Sequence, residues 1–354
     1  MQILGLDIGG ANIKAASVDG QSYCRAFPLW KKPSALAGFL SSEILASFPA
    51  PTHVALTMTG ELCDCFEDKP DGVRQILAAV DHAGLKPFVY AVDGSFLTSE
   101  QAVSQPLAVA ASNWHALANY SRRFLDRNRS SCGILFDLGS TSCDLIPFTN
   151  SQVLAVGNTD LTRMLNQELV YTGSSRTPVC AVANQIDFRG QQVPVAEEIF
   201  ATMQDVYVVT GDMEERPDSR DTADGRALTI GNAQRRLARM LCADMSELCE
   251  GEILELAEAF RSSQLQMLES AFAKQTAKLA EYLDDRNESE SKRTGNPLVV
   301  VSGSGGFLVS RLMQQLGIEN SFSLARELGP SISESAPAFA VATLLQEFIA
   351  GERA

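Results

Sequence analysis

A carboxylate beside a glycine-containing turn, near the middle of the chain, has the residue types that bind a phosphate. An apolar run ends at Asp137, and Gly139, Ser140 and Thr141 follow before a second apolar run begins. A tight turn of small residues between two strands leaves its backbone N–H groups in a concave nest that binds anions. A neighbouring carboxylate suits a hydrated divalent cation on phosphate oxygens. We therefore predict that Asp137 holds Mg²⁺ or a similar ion, and that the three turn residues contact phosphate.

The start of the chain repeats this pattern. Asp7 ends an apolar strand and is followed by Gly9, Gly10 and Asn12. The aligned pairs are Asp7 with Asp137, Gly9 with Gly139, Gly10 with Ser140, Asn12 with Ser142, and Lys14 with Asp144. Two copies far apart in sequence predict two similar half-domains, whose turns face each other across a cleft and hold one polyanion. Two ordinary hairpin turns are the alternative.

Side chains next to these turns are candidates for the chemical steps. We predict that Lys14 reaches an anionic leaving group and that Asp144 acts as a base. A solvated strand end and a satisfied hairpin carboxylate are the respective alternatives. Asp7 and Asp137 are the predicted metal ligands, with turn capping as the alternative. The chain has only 3 histidines, so an acidic residue is the better candidate for proton transfer.

Loops at the expected carboxyl ends of strands supply candidate substrate contacts, because open α/β sheets bind ligands at that edge. The candidates are Thr59 and Glu61 after one strand, Asn113 at a helix start, Arg176 in a hydroxyl-rich loop, Asp224 and Arg226 in a charged loop, and Ser302, Gly303 and Gly305 between a strand and a helix. The last group favours an anion or a nucleotide. The alternatives are a helix cap for Asn113, a surface ion pair for Arg176, and a loop-internal ion pair for Asp224 and Arg226.

Strand and helix patterns alternate along the chain, which predicts two α/β halves. We place the first half at 1–130 and the second at 131–354, with a helical insertion in the second. Whether the last helix, 336–350, returns to the first half is left open. The charged, Ser-rich segment 284–296 is predicted to be a loop. We also predict short strands at 107–111 and 179–183 and one helix from Pro194 through Asp205.

Composition limits the classes of partner. The chain has 354 residues, of which 45% are hydrophobic and 20% charged, as in an ordinary globular protein. A formal net charge of −14 argues against nucleic acid and anionic membranes, and no apolar run is long enough to span a bilayer. The 8 cysteines are scattered and no signal-peptide pattern is present, so we expect reduced thiols and a cytoplasmic protein. Small-molecule substrates are the predicted partners; the oligomeric state is not indicated.

Together these motifs resemble those of the actin/hexokinase/Hsp70-type ATPase superfamily, where they form two phosphate loops and an adenosine loop. The first two resemble in particular the hydantoinase/oxoprolinase branch. More closely still, the chain is similar to the tetrahydromethanopterin-linked C1-transfer-pathway proteins, which include methanofuran-biosynthesis enzymes. The stretches that carry the resemblance are 6–14, 59–62, 113–114, 137–141, 171–173, 176–178 and 222–226. The resemblance implies an actin-like, ribonuclease H-like duplicated α/β fold with a central cleft.

The activity implied by this resemblance is an alkyl transfer in methanofuran biosynthesis. An (aminomethyl)furanyl-methyl diphosphate would lose diphosphate while the phenol oxygen of γ-glutamyltyramine takes the CH₂ group. Mg²⁺ is expected to be required and ATP is not, because Ala11 stands where many ATPase relatives have a hydroxyl residue. The alternatives on the same fold are an ATP-dependent small-molecule kinase, a hydantoinase/oxoprolinase-type hydrolase and a non-catalytic nucleotide sensor.

Overall fold

The computed structural model describes residues 2–48, 50–285 and 297–352, in which two large sheets and one small hairpin form. The strands are β1 (Ile3–Ile8), β2 (Asn12–Ser17), β3 (Ser22–Ala26), β4 (His53–Met58), β5 (Pro87–Tyr90), β6 (Phe96–Leu97), β7 (Cys132–Leu138), β8 (Cys143–Thr149), β9 (Leu169–Val170), β10 (Gln185–Phe188), β11 (Gln191–Pro194), β12 (Leu298–Ser302) and β13 (Ser321–Ser323). Strands β10 and β11 pair only with each other. The remaining strands belong to one sheet in each half of the chain.

The two large sheets have the same topology. The first has the strand order β3-β2-β1-β4-β5-β6, and the second, read from β9, has the order β9-β8-β7-β12-β13. In each, the first strand pairs antiparallel with the hairpin strand that follows it and parallel with a strand that arrives later. The central strand of each sheet is an almost continuous apolar run, because helices cover both faces. The duplication predicted from the two turns is confirmed.

Helices cover these sheets and fill the space between the strands. They are α1 (Leu36–Phe39), α2 (Leu45–Ser47), α3 (Lys69–His82), α4 (Ser99–Ser104), α5 (Pro106–Val109), α6 (Asn113–Ser121), α7 (Asp160–Asn166), α8 (Met203–Val209), α9 (Ile230–Arg239), α10 (Glu250–Asp285), α11 (Gly306–Gln315), α12 (Leu324–Leu328), α13 (Pro330–Glu334) and α14 (Ala336–Glu352). A π turn, Leu40–Ile44, joins α1 to α2. The long helix α10 packs with α8, α9 and β8 on the second sheet.

The last helix, α14, packs on the first sheet, against β1, β2 and β4. The approach is closest at Gly5, where an added Cβ would lie 1.9 Å from the carbonyl oxygen of Ala338. A side chain at Gly5 would push the helix away from the sheet, so only glycine fits this position. The chain therefore crosses back from the second half to complete the core of the first.

Three local predictions were wrong. The stretch 107–111 is not a strand, because α5 begins at Pro106, and proline at the first helical position favours a helix. The stretch 179–183 forms a single 3₁₀ turn instead of a strand. Pro194 ends β11 rather than starting a helix, and α8 begins only at Met203.

The segment predicted as a loop at 284–296 lies outside the described residues, apart from its first two positions, which end α10. Among the residues that the structure describes, no helix combines the length and the apolar character needed to cross a membrane.

Candidate functional site

The two predicted turns have the same backbone hydrogen bonding. The N–H of Gly9 donates to the carbonyl oxygen of Asn12 at 3.0 Å, and the N–H of Gly139 donates to that of Ser142 at 2.9 Å. Each bond closes a hairpin at the end of the central strand of its sheet. The residue alignment made from sequence is therefore confirmed at the level of individual hydrogen bonds.

The two carboxylates also occupy equivalent positions. Asp7 lies opposite Lys14 in the first hairpin, and Asp137 lies opposite Asp144 in the second. The hairpins thus differ in charge: the first pairs its carboxylate with a cation, and the second pairs two carboxylates. Like charges directly opposite each other repel, so the second hairpin needs positive charge from elsewhere.

A second pair of loops is equivalent as well, which the sequence did not reveal. Thr57 of β4 and Ser302 of β12 each lie beside the aspartate of the neighbouring central strand. The N–H of Gly60 then donates to the last carbonyl of β1 at 3.0 Å, and the N–H of Gly305 donates to the last carbonyl of β7 at 2.8 Å. Each half therefore brings two loops to the same sheet edge.

Gly303 fixes the second of these loops against the hairpin. Its φ is +86°, and an added Cβ would lie 2.2 Å from the Leu138 carbonyl oxygen and 2.7 Å from Asp137 Oδ1. We expect Gly303→Ala to lower the free energy of unfolding by about 1–2 kcal/mol more than Gly317→Ala. Gly317 also has a positive φ, +65°, but open space around it. The Gly317→Ala variant therefore measures the cost of the backbone conformation without a steric clash. If urea denaturation showed equal losses of unfolding free energy for the two variants, the close approach of Gly303 to Leu138 and Asp137 would be contradicted.

The two aspartates share one electrostatic environment. The charge of Lys14 lowers the pKa of both Asp7 and Asp137, and the charge of Asp7 raises that of Asp137. Such mutual effects require proximity, because solvent screens exposed charges beyond about 10 Å. These effects fit two hairpins on facing sides of the space between the halves, and that arrangement stays a prediction of the sequence.

Several side-chain contacts join the halves around this space. The Arg176 guanidinium lies 5.6 Å from the centre of the Trp30 ring, and Lys69 Nζ lies 2.9 Å from Asp160 Oδ2. The backbone N–H of Arg176 donates to the carbonyl oxygen of Ser140 at 2.8 Å, which holds Arg176 beside the second nest. Arg176 is exposed and stands at the rim, where a guanidinium can reach an anion in the cleft.

Asp7 is buried, with 3% of its surface exposed. Burial raises its pKa, while Lys14 and a hydrogen bond from Asn113 lower it. The carbonyl oxygen of the Asn113 side chain accepts from the Trp114 N–H at 2.7 Å, which leaves the amide N–H to donate to Asp7. Asp7 Oδ1 has no hydrogen-bond partner among the described residues. An unpartnered buried carboxylate oxygen is a fitting ligand for a cation or its water.

Asp137 is partly exposed to the cleft. Burial and then the charge of Asp144 raise its pKa to about 6, whereas Lys14 and a hydrogen bond from Ser302 lower it. Asp137 can therefore release its proton near neutral pH. A cation bound beside it would relieve the repulsion from Asp144.

Glu61 is the least satisfied acid in the cleft. Its side chain is 1% exposed, and neither carboxylate oxygen has a partner among the described residues. Burial, together with the charges of Asp160 and Asp7 and against that of Lys69, raises its pKa to about 7. Helix α3 fixes its backbone, since a Cβ on Gly72 would lie 2.1 Å from the Glu61 carbonyl oxygen.

Asp144, by contrast, is engaged by a buried cation. Arg163, 2% exposed, forms ion pairs with Asp144 and, at 3.5 Å, with Asp160. Its guanidinium also lies 4.2 Å from the centre of the Trp114 ring. Burial raises the pKa of Asp144, and Arg163 opposes that rise. The predicted base is thus held in an ion pair, while Glu61 is not.

Most of the unpartnered buried polar atoms of the described residues surround this one space. They include Asp7 Oδ1, both Glu61 oxygens, Trp114 Nε1 and Arg163 Nε. No group of three or more His, Cys, Asp or Glu side chains in the described parts of the chain forms a metal cage. Mg²⁺ commonly binds through one or two carboxylates, waters and substrate phosphates. Asp7 and Asp137 fit that mode of binding.

The hydantoinase/oxoprolinase family profile matches residues 52–348. The chain belongs to this family. It is 36% identical over 98% of both chains to the (4-{4-[2-(γ-L-glutamylamino)ethyl]phenoxymethyl}furan-2-yl)methanamine synthase of Methanocaldococcus jannaschii. It is 29% identical to the synthase of that name from Methanococcus vannielii, over 63% of this chain and 95% of that one. The chain is an enzyme of the same family as these synthases.

A solved structure has the same fold. The nucleotide-free structure of an acetone carboxylase superposes with a TM-score of 0.50 and 9% identity, over 96% of this chain and 70% of that one. With the duplicated sheets described above, this confirms the actin-like, two-part α/β fold that the sequence predicted. At that identity the likeness concerns the fold alone.

Small polar side chains surround the two hairpin turns. Thr59 Oγ1 lies 3.5 Å from the position of a Cβ on Gly9. A Cβ on Gly10 would lie 2.8 Å from Cys63 Sγ, so a cysteine covers the first turn. The hydroxyls of Ser140 and Thr141 lie 3.5 Å apart on the second turn. These loops keep the backbone and hydroxyl groups that a phosphate needs.

Asp224 and Arg226 are placed differently from the other candidates. Asp224 accepts from buried Arg236 at 2.9 Å and lies 3.6 Å from Arg239, while Arg226 lies 3.9 Å from Asp224 and is largely exposed. The ion pairs of Asp224 are thus with arginines of its own loop and of α9. Among the described residues, neither has a hydrogen bond or ion pair with the two hairpins, and their role as substrate contacts stays a prediction.

Lys69, Asp160, Arg163 and Trp30 were missed by the sequence reasoning. Each joins the cleft through a partner distant in the chain, such as Asp160 with Lys69, which are 91 positions apart. A lysine or arginine on a helix has no local pattern that marks it as buried. For Arg163 its charge was the only signal, since buried cations require partners.

Proposed function

We propose that this enzyme transfers a furanylmethyl group from its diphosphate to the phenol oxygen of γ-glutamyltyramine and releases diphosphate. The observation that carries the proposal is the full-length similarity to a synthase whose name describes a phenoxymethylfuran. The duplicated hairpin turns support it, because two equivalent nests of N–H groups on the two sides of the cleft would suit the two phosphates of a diphosphate.

The leaving group would lie between the hairpins. The C–O bond to the furanylmethyl carbon breaks and its electron pair leaves with the diphosphate, whose growing charge the turn N–H groups, Lys14 and Arg176 stabilise. Among the described residues, the cleft carries five carboxylates, Asp7, Glu61, Asp137, Asp144 and Asp160, against four cations, Lys14, Lys69, Arg163 and, at the rim, Arg176. Bound Mg²⁺, held by Asp7 and Asp137, would supply the missing positive charge.

The acceptor phenol needs a base, and we assign that role to Glu61 rather than Asp144. The phenol oxygen forms a bond to the CH₂ carbon while its proton passes to the Glu61 carboxylate. A pKa of about 7 gives Glu61 a useful fraction of the basic form at neutral pH. Asp144 is already paired with Arg163. Neither bond requires ATP.

The test is an assay of diphosphate release. Purified protein with the furanylmethyl diphosphate, γ-glutamyltyramine and Mg²⁺ is expected to release one diphosphate per ether formed, without ATP. Removing divalent cations with a chelator should stop release, and Mg²⁺ should restore it. Turnover of ATP with no diphosphate released from the furan compound would favour the kinase alternative instead. Saturable nucleotide binding with no turnover would favour the sensor.

A further inference from the structure

A cavity of about 320 Å³ lies between the two halves, beside the cleft described above. One wall is formed by the residues after β5 and by α6 of the first half, and the other by residues 151–158, which follow β8 of the second. Its volume is at the lower end of small-molecule pockets, which begin at about 300 Å³. Nothing in the proposed transfer chemistry uses it.

This cavity presents one anion and one cation. Asp93 and Arg122 both line it, and the third titratable group facing it, His115, is neutral because burial lowers its pKa to about 4. Hydrogen bonds from Ser95 lower the pKa of Asp93, so that carboxylate stays ionised. A pocket with a separate fixed anion and cation matches a ligand that carries both charges.

Both charged groups have unused hydrogen-bonding capacity. Arg122 donates to Asn119 Oδ1 and to the carbonyl oxygens of Thr149 and Asn150, which leaves two of its five N–H groups. Asp93 Oδ1 accepts twice from Ser95, and its other oxygen accepts no hydrogen bond from the described residues. The guanidinium is fixed in place by the second half and still able to bind a carboxylate.

Trp114 connects this cavity to the reacting centre. Trp114 lines the cavity and its ring is covered by Arg163, while its backbone N–H donates to the side chain of Asn113, which holds Asp7. A ligand in the cavity could therefore extend past Trp114 towards the hairpins. The acceptor of the proposed reaction is elongated: a phenol at one end and a γ-linked glutamyl group, with its α-ammonium and α-carboxylate free, at the other.

We propose that this cavity binds the free α-amino-acid end of the acceptor, with Asp93 facing its ammonium group and Arg122 its carboxylate. This inference rests on the proposed function, since it assigns the distal end of the same substrate. This contact would let the enzyme select γ-glutamyltyramine from other phenols of equal reactivity. The reacting atoms lie elsewhere, so Asp93 and Arg122 are specificity-determining residues rather than catalytic ones.

The test compares two acceptors, γ-glutamyltyramine and N-acetyltyramine, which share the phenol and the amide but differ in the two charges. Asp93→Asn and Arg122→Gln are each expected to lower kcat/KM for γ-glutamyltyramine by about 10-fold to 100-fold, mainly through KM. For N-acetyltyramine the change in kcat/KM should stay within about 2-fold, because this substrate has neither the ammonium nor the carboxylate that the two side chains would bind. Arg123→Gln is the matched control, since Arg123 pairs with Glu347 outside the cavity.

Equal losses for both acceptors, or wild-type protein that uses them equally well, would overturn the assignment. Arg122 also holds two carbonyls of the second half, so its variant could fold poorly; Asp93→Asn keeps the Ser95 turn and tests the cavity independently. If wild-type protein releases no diphosphate with either acceptor, the proposed reaction fails instead. Calorimetry of γ-glutamyltyramine binding to wild type and Asp93→Asn then still tests the cavity: weaker binding to the variant supports the assignment, and equal binding overturns it.

Discussion

Replacing Glu61 with glutamine is expected to slow diphosphate release by about 10²–10⁴-fold at pH 8, the usual contribution of a general base. The wild-type rate should rise with pH through about 7 as Glu61 loses its proton, and this limb should disappear in the variant. Glutamine has nearly the same shape, so KM for either substrate should change little. A kcat within a few-fold of wild type would rule out Glu61 as the base.

The same substitution is expected to stabilise the protein. Burial holds the pKa of Glu61 at about 7, above its ordinary value of 4.5, so the folded state binds this proton more tightly than the unfolded state. Stability therefore falls as pH rises from about 4.5 to 7, and the full penalty, up to about 3 kcal/mol, is present above pH 7. Glu61→Gln removes that penalty at pH 8.

Urea denaturation at pH 5 and pH 8 measures this effect. The gain in unfolding free energy of Glu61→Gln over wild type should be largest at pH 8 and small at pH 5, where the wild-type carboxyl is protonated in the folded state. Glu67→Gln is the control, because Glu67 is an exposed acid in the same loop. A variant that loses activity and stability together would point to a structural role instead.

The duplicated fold and the hairpin site could be predicted because their causes are local. A strand, an aspartate and a glycine turn specify a nest through backbone geometry alone, and two copies specify two halves. The register of Asp7 with Lys14 and of Asp137 with Asp144 follows from the same local pattern. The return of α14 to the first sheet, which the sequence left open, depends instead on the close approach of Gly5 to Ala338.

The state of each acid could not be predicted, because burial and partners come from distant segments. Asp144 and Glu61 are both acids beside small-residue loops in the sequence. The fold gives Asp144 a buried arginine, Arg163, and gives Glu61 no partner at all among the described residues. Which of these acids can act as a base therefore depends on tertiary contacts, not on the local sequence. The same holds for Asp205, which the sequence placed on a helix from Pro194, whereas the helix that carries it begins only at Met203.

Replacing Arg236 with methionine is expected to lower the free energy of unfolding by about 3–5 kcal/mol. Arg236 and Asp205 are both fully buried, and two guanidinium nitrogens lie 3.0 and 2.6 Å from Asp205 Oδ1. Burial raises the pKa of Asp205 in spite of this pair, so the charge is tolerated only while the arginine is present. Removing the cation alone leaves an uncompensated buried carboxylate.

Adding Asp205→Asn to Arg236→Met should recover much of the loss, because asparagine can still accept the Thr202 N–H that Asp205 Oδ2 now binds at 3.0 Å. Arg239→Met is the control: this exposed arginine also pairs with Asp224, and its loss should cost less than about 1 kcal/mol. Chemical denaturation separates these outcomes. If Arg236→Met stayed stable and instead raised KM for the furan diphosphate, the stretch 222–226 would be a substrate loop, as its sequence first suggested.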